Sequence, residues 1–296
     1  MSTTTPHSTT ADLRIDAGWI IPVRPAGALA GHSLLIKDGR VAALLPSAEA
    51  DAWDCRERLN LPGHLLIPGL VNLHTHAAMT LLRGYADDLP LMDWLNHHIW
   101  PAEARHGSHG FVRDGTLLAC LEMLAGGITC FNDMYFFAEG AVEAATRAGM
   151  RIAAGMILVD FPTGYAADTD GYLQKGLAMR DAHADNPLAS FCLAPHAPYT
   201  VGDRGLEKIM TYAEQLDLPV HIHLHETEDE LRQSLEKYGV RPLARLKALG
   251  MLTPGLIAVH GVHLNDTEIG WLASHGCHVA HCPASNLKLA SGFAPV

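Results

Sequence analysis

Pro68-Gly69-Leu70-Val71-Asn72-Leu73-His74-Thr75-His76 is an apolar run that enters on Pro-Gly and closes on two histidines one residue apart. Side chains alternate faces along a strand, so His74 and His76 project to the same side and can grip one divalent ion. The competing reading is two polar residues capping a strand, since Pro-Gly entries and apolar lead-ins are common in buried strands. The order of segments on either side decides between them.

On the N-terminal side, residues 1–11 are Thr/Ser-rich and are expected to form a disordered tail. Residues 12–66 hold short alternating segments, such as Trp19 to Val23 and Ser33 to Val41, with Asp38-Gly39 as a hairpin signal inside the second. They are expected to form a small β module. On the C-terminal side the pattern becomes apolar strands separated by helical stretches. The strands run from Leu66 to His76, Ile128 to Met134, Arg151 to Asp160, Leu188 to His196, Pro219 to Glu226, Leu256 to Leu264 and His278 to Ser285. Amphipathic segments at helical spacing lie between them, including Gly115 to Ala125, Glu139 to Ala148, Leu206 to Leu216 and Asp229 to Tyr238. Alternation at this pitch implies an α/β fold with a parallel sheet. A doubly wound sheet would carry a glycine-rich first turn, which is missing, so the expected fold is a (β/α) barrel over 67–296. In such barrels functional groups gather at the carboxyl ends of the strands.

Composition narrows the function classes. The chain has 296 residues, 48% hydrophobic and 18% charged, enough for a large core. A net charge of −11 with scattered Lys and Arg excludes a nucleic-acid surface and favours small-molecule substrates. No run of about 18 apolar residues is present to span a membrane. Six cysteines form no CxxC pair or dense framework, which suits free thiols in the cytoplasm.

Of 19 histidines, those in polar segments (His97, His98, His106, His109 and His183) are expected on a solvated surface. Eight others close apolar runs: His74, His76, His196, His221, His223, His260, His263 and His281. Independent surface histidines have no reason to follow strand ends, so this placement favours the metal reading of His74 and His76. In Pro219 to Glu226, alternation puts His221, His223 and His225 on one side. His223 is the expected third ligand, with His221 deeper and His225 at the rim in supporting roles. Glu226 has the opposite parity, but the chain leaves strand geometry there and its carboxylate can swing over the site. His260 can touch the ion or its water, or can be a buried hydrogen-bonded imidazole. An ion held by three nitrogens with an open position lowers the pKa of water to near 7, which makes hydrolysis the natural reaction class. Glu226 suits an acid/base that moves a proton to a departing amine. The deaminase pattern of HxE with PCxxC is absent.

PGLVNLHTH, the HxxE of His223 and Glu226, His260, and Asn286 within HCPASNLKL together resemble the amidohydrolase superfamily. More narrowly, Ala77-Ala78-Met79-Thr80-Leu81-Leu82-Arg83-Gly84-Tyr85-Ala86-Asp87-Asp88 followed by Trp94-Leu95 resembles the methylthioadenosine/S-adenosylhomocysteine deaminases, in the group that also holds triazine chlorohydrolases. The resemblance implies a (β/α)8 barrel beside a β-sandwich built from both chain ends, and one divalent ion, usually zinc. It implies His74, His76 and His223 as ligands, Glu226 as proton shuttle and His260 as the residue that orients or deprotonates the water. It also implies that Glu103 holds the ribose hydroxyls, Trp94 walls the pocket and His196 bonds the nucleoside. The residues alone would make Glu103 surface and Trp94 core. Related enzymes are often dimers or tetramers, so a homo-oligomer belongs to the same expectation.

The expected activity is hydrolytic deamination of an adenine nucleoside. The alternatives are deamination or dechlorination of guanine, 8-oxoguanine or a triazine, and a metal-binding inactive fragment. Two departures bear on this. Some family members carry a third-strand arginine for the far end of the substrate; Met156 or its neighbours stand there, which leaves the tail preference open and makes methylthioadenosine, with no charged tail, somewhat more plausible. The family's fourth ligand, an aspartate ending an eighth strand, has no counterpart after Ser285. The barrel is therefore expected to be truncated before strand eight, and a chain complete at Val296 to hold metal weakly and turn over negligibly.

Overall fold

The computed structural model describes residues 9–296 and resolves into two compact units that divide after Gly69. The first unit is a five-stranded sheet. Its strands are β1 (Thr10–Ile20), β2 (Leu29–Ala30), β3 (His32–Lys37), β4 (Arg40–Pro46) and β5 (Asp54–Leu66), with a short helix α1 (Ser47–Ala50) before the last. β1 pairs antiparallel with β2 and β3 and parallel with β5. Asp38 and Gly39 join β3 to β4 with φ of +51° and +70°, the two positive values that a type I′ hairpin turn requires. Leu35, Ala11 and Ala50 form the core of this unit.

The expected tail lies outside the described residues over 1–8. Its last two residues are not tail: Thr10 and Ala11 begin β1, held by parallel pairing to Asp54 and Cys55. Partners more than forty residues away leave no mark on local composition.

The second unit contains seven parallel strands in sequence order: β6 (Leu70–Thr75), β7 (Ile128–Tyr135), β8 (Arg151–Leu158), β9 (Ala189–Pro195), β10 (Val220–Leu224), β11 (Leu256–His260) and β12 (His278–Ala280). This is a barrel sheet wrapped by helices, of the TIM type. Between β6 and β7 lie a 3-10 turn (Ala77–Leu82), α2 (Leu91–Trp94), a π-helical turn (Leu95–Ile99), α3 (Trp100–His106) and α4 (His109–Ala125). The later connections carry α5 (Ala138–Ala148), α6 (Thr169–Ala182), α7 (Asp203–Leu216), α8 (Glu228–Tyr238), α9 (Pro242–Ala248), α10 (Asp266–Ser274) and α11 (Pro283–Lys288). Strands covered on both faces read as continuous apolar runs. In β8, Ile152, Ala154, Gly155, Met156, Ile157 and Leu158 are all buried. Among the described residues the outer edges of β6 and β12 carry no strand partner.

Strands β8 and β10 end slightly earlier than expected, and two others end well short of expectation. β11 stops at His260, whose φ of +74° is left-handed and breaks the ladder before Leu264. β12 is three residues long, and Pro283 opens α11 where a continued strand was expected. Proline cannot donate to a ladder, and its fixed φ suits the first turn of a helix.

Candidate active site

The carboxyl ends of the strands converge on a cavity of about 480 Å³. His74, His76, His196, His223, Glu226 and His260 line it, and so do Trp94 and Glu103 from the long connection after β6.

Each imidazole is oriented by a partner on its far nitrogen. His76 Nδ1 lies 2.6 Å from the Met134 carbonyl and His223 Nδ1 lies 2.7 Å from the His196 carbonyl. A carbonyl only accepts, so both Nδ1 atoms carry the hydrogen and both Nε2 atoms present lone pairs. His223 Nε2 is 3.2 Å from His76 Nε2 and 3.2 Å from His74 Nε2. Lone pairs this close repel unless they share a cation. Zinc–nitrogen bonds of about 2.0–2.1 Å in tetrahedral array separate ligand nitrogens by about 3.3 Å, so both separations from His223 match those of imidazoles that share one ion. His260 is close to the same point: ligand atoms of His74, His223 and His260 all lie within 4.8 Å of one another. Its Nδ1 is 2.8 Å from Asn286 Oδ1, which fixes the hydrogen there and turns Nε2 toward the cavity, 3.3 Å from Glu226 Oε1.

Burial keeps this cluster neutral. It holds His74 and His223 well below the usual imidazole value, with the neighbouring rings adding to the effect, and brings His260 to about 4. His196 and His221 fall to about 3 for the same first reason. His221 lies deeper, with Nε2 3.1 Å from His74 Nδ1. His225 points away, its Nε2 accepting from the Leu243 N–H at 3.1 Å.

Glu226 reaches the cavity because the chain leaves β10 at Leu224 and His225 adopts a φ of +54°. The turn is held by Glu230, whose carboxylate accepts from the N–H groups of His225 at 3.0 Å and Glu226 at 2.9 Å. Burial, then the nearby Glu230, raises the Glu226 carboxyl to about 8. Both effects favour its protonated form.

Glu103 is not a surface residue. Its Oε1 accepts from the Tyr135 hydroxyl at 2.7 Å, and burial raises it to about 7 against the lowering effect of that bond. Trp94 is partly buried against the cavity, with Nε1 near the Tyr85 carbonyl, and His196 Nδ1 meets Thr200 Oγ1 at 3.0 Å. Met156 is buried, and the cavity draws Ile157 and Val159 from its neighbourhood. His263 and His281 do not line the cavity. The sequence reading missed Tyr135, Glu230 and the orienting role of Asn286. Tyr135 ends β7, so the strand-end rule applied to histidines would have found it.

Residues 65–296 match the amidohydrolase family. The chain belongs to that family. Among its relatives, a 5-methylthioadenosine/S-adenosylhomocysteine deaminase of Teredinibacter turnerae is 50% identical over 291 residues, covering 98% of this chain and 66% of that protein. The enzyme of the same name from Saccharophagus degradans is 48% identical over 292 residues, with the same coverage. A solved adenosine deaminase from Xanthomonas campestris with bound zinc superposes with a TM-score of 0.94 at 47% identity, covering 98% of this chain and 66% of its own. This amidohydrolase chain thus spans about 66% of the length of those curated relatives. A triazine hydrolase of Arthrobacter aurescens shares the fold, with a TM-score of 0.86 at 21% identity over 96% of this chain and 68% of that one.

Proposed function

We propose that this chain carries the active site of a metal-dependent hydrolytic deaminase acting at carbon 6 of an adenine nucleoside. Its substrates are 5′-methylthioadenosine and/or S-adenosylhomocysteine, and its products the inosine analogue and ammonia. The observation that carries this reading is the convergence in one cavity of His223 Nε2 at ligand spacing from the Nε2 atoms of both His74 and His76, with the Glu226 carboxyl 3.3 Å from His260 Nε2. The names borne by relatives near 50% identity support the choice of substrate.

In this reading His74, His76 and His223 hold one divalent ion, zinc, through Nε2. A bound zinc supplies Lewis acidity that brings the pKa of water near 7. His260, its hydrogen committed to Asn286, offers Nε2 to orient the attacking water or take its proton. Glu226 gives its proton to the ring nitrogen as water adds to carbon 6. The proton drawn from the water then passes to the amino group; as the C–N bond breaks, the oxygen on carbon 6 becomes a carbonyl, its remaining proton returns to Glu226, and ammonia leaves. Glu103, set by Tyr135, accepts from the ribose hydroxyls, His196 bonds the nucleoside and Trp94 walls the pocket. We also place the protein in the cytoplasm, a reading supported by its six free cysteines.

A substrate panel tests this assignment. Methylthioadenosine, S-adenosylhomocysteine, adenosine, guanine and a chlorotriazine are compared by ultraviolet change, with Glu103→Ala alongside. Adenine nucleosides alone should react, and Glu103→Ala should raise their KM; turnover of guanine or the triazine indifferent to Glu103 contradicts the nucleoside assignment.

A further inference from the structure

We propose that Asp133 is a positioning residue for the metal centre, one carboxylate oxygen clamping the residues on both sides of His76. The inference rests on the reading of His74, His76 and His223 as ligands.

Asp133 lies on β7, is 2% exposed and makes no contact with the cavity. Its Oδ1 accepts from the Ala77 N–H at 2.7 Å and lies 2.8 Å from the Thr75 hydroxyl, whose single hydrogen it shares with the Asn132 carbonyl at 3.0 Å. The next residue, Met134, takes the His76 Nδ1–H through its carbonyl. Residues 75, 76 and 77 are thus each tied to the pair 133–134, and the middle one presents Nε2 to the site.

The clamp stands at the last pair of the strand ladder, Thr75 with Asp133, beyond an irregularity in register. The register of β6 against β7 shifts between Asn72 and Thr75, β6 ends at Thr75, and His76 leaves the strand with φ −119° and ψ 68°. Regular strand pairing therefore does not set the path of the backbone through the second ligand. A buried carboxylate whose bonds go only to Thr75 and Ala77 is an expensive way to fill space, because a buried charge costs free energy that an apolar side chain would not. What it supplies is two acceptor contacts at a fixed spacing across one ligand. Metal affinity depends on such outer contacts, since ligands not held in place must be ordered when the ion binds.

Zinc affinity of the protein is measured by chelator competition for the unsubstituted chain, Asp133→Ala, Asp133→Asn and Thr75→Val. The visible absorption of the cobalt-substituted forms and the melting temperature of the metal-free forms are recorded in parallel. Asp133→Ala should weaken zinc by about 10–100-fold and alter the cobalt bands. Asp133→Asn, which keeps a neutral acceptor, and Thr75→Val, which removes one contact, should each weaken zinc by a smaller factor. If Asp133→Ala does not fold, the other two variants decide. Lower metal-free melting temperatures with unchanged zinc affinity and cobalt spectra would mean that Asp133 only stabilises the fold, and would overturn the proposal. An unsubstituted chain that binds no zinc would overturn the ligand assignment first and the clamp with it.

Discussion

At the scale of single residues, the proposed chemistry rests on two carboxyls whose pKa burial raises. Burial raises Glu226 to about 8, which favours the proton-donating form that the proposed mechanism needs, whereas a solvated glutamate would be ionised. Glu103, raised to about 7, is poised so that its accepting form dominates only above neutrality. Burial lifts its pKa and the Tyr135 hydroxyl lowers it, so loss of that hydroxyl must raise it further. The KM of a nucleoside should therefore climb as pH falls through about 7, and Tyr135→Phe should move the inflection to higher pH. Steady-state kinetics from pH 6 to 9 check this; an inflection that stays put or moves down refutes the role of Tyr135. Alternation made it legible that His74 and His76 project to one side; it grouped His223 with His221 and His225, and only position along the strand set His223 apart. Glu103 was not legible, because its burial depends on Tyr135, 32 positions away in the chain.

At the scale of elements, α4 fixes the segment that follows His76. Gly115 of α4 lies so close to the 3-10 turn that an added Cβ would stand 2.4 Å from the Ala78 carbonyl oxygen. Backbone cannot yield there as a flexible side chain would. Gly115→Ala should cost about 1–3 kcal/mol in denaturant unfolding and also weaken zinc binding, because the displaced turn begins one residue after His76. Unchanged zinc affinity would separate the turn from the site. The strands and principal helices were readable from the sequence, since apolar runs of strand length alternated with segments of helical period. The ends of β11 and β12 were not. His260 adopts a left-handed backbone that nothing in the apolar run Leu256 to Leu264 announces, whereas Pro283 was a visible stop signal whose force the strand reading underweighted. Glu226 shows the opposite outcome: its expected escape from strand parity is realised by the left-handed His225 and the buried Glu230.

At the scale of the whole molecule, a site assembled from β6, β10 and β11 ties metal binding to folding. An ion that binds only the folded state at 100 times its Kd stabilises that state by about 2.7 kcal/mol. Chelation should therefore lower the melting temperature, added zinc should restore it, and His76→Ala should abolish the response. A melting temperature indifferent to chelation would argue against a resident ion. The most direct test of the central claim is ammonia release from 5′-methylthioadenosine by the zinc-loaded full-length protein, compared with Glu226→Gln. The account predicts one ammonia per nucleoside, an ultraviolet change from adenine to hypoxanthine, and a loss of about 10²–10⁴ in kcat for Glu226→Gln at unchanged zinc content. A zinc-loaded protein that leaves the nucleoside unaltered, or a Glu226→Gln variant with undiminished kcat, would contradict it.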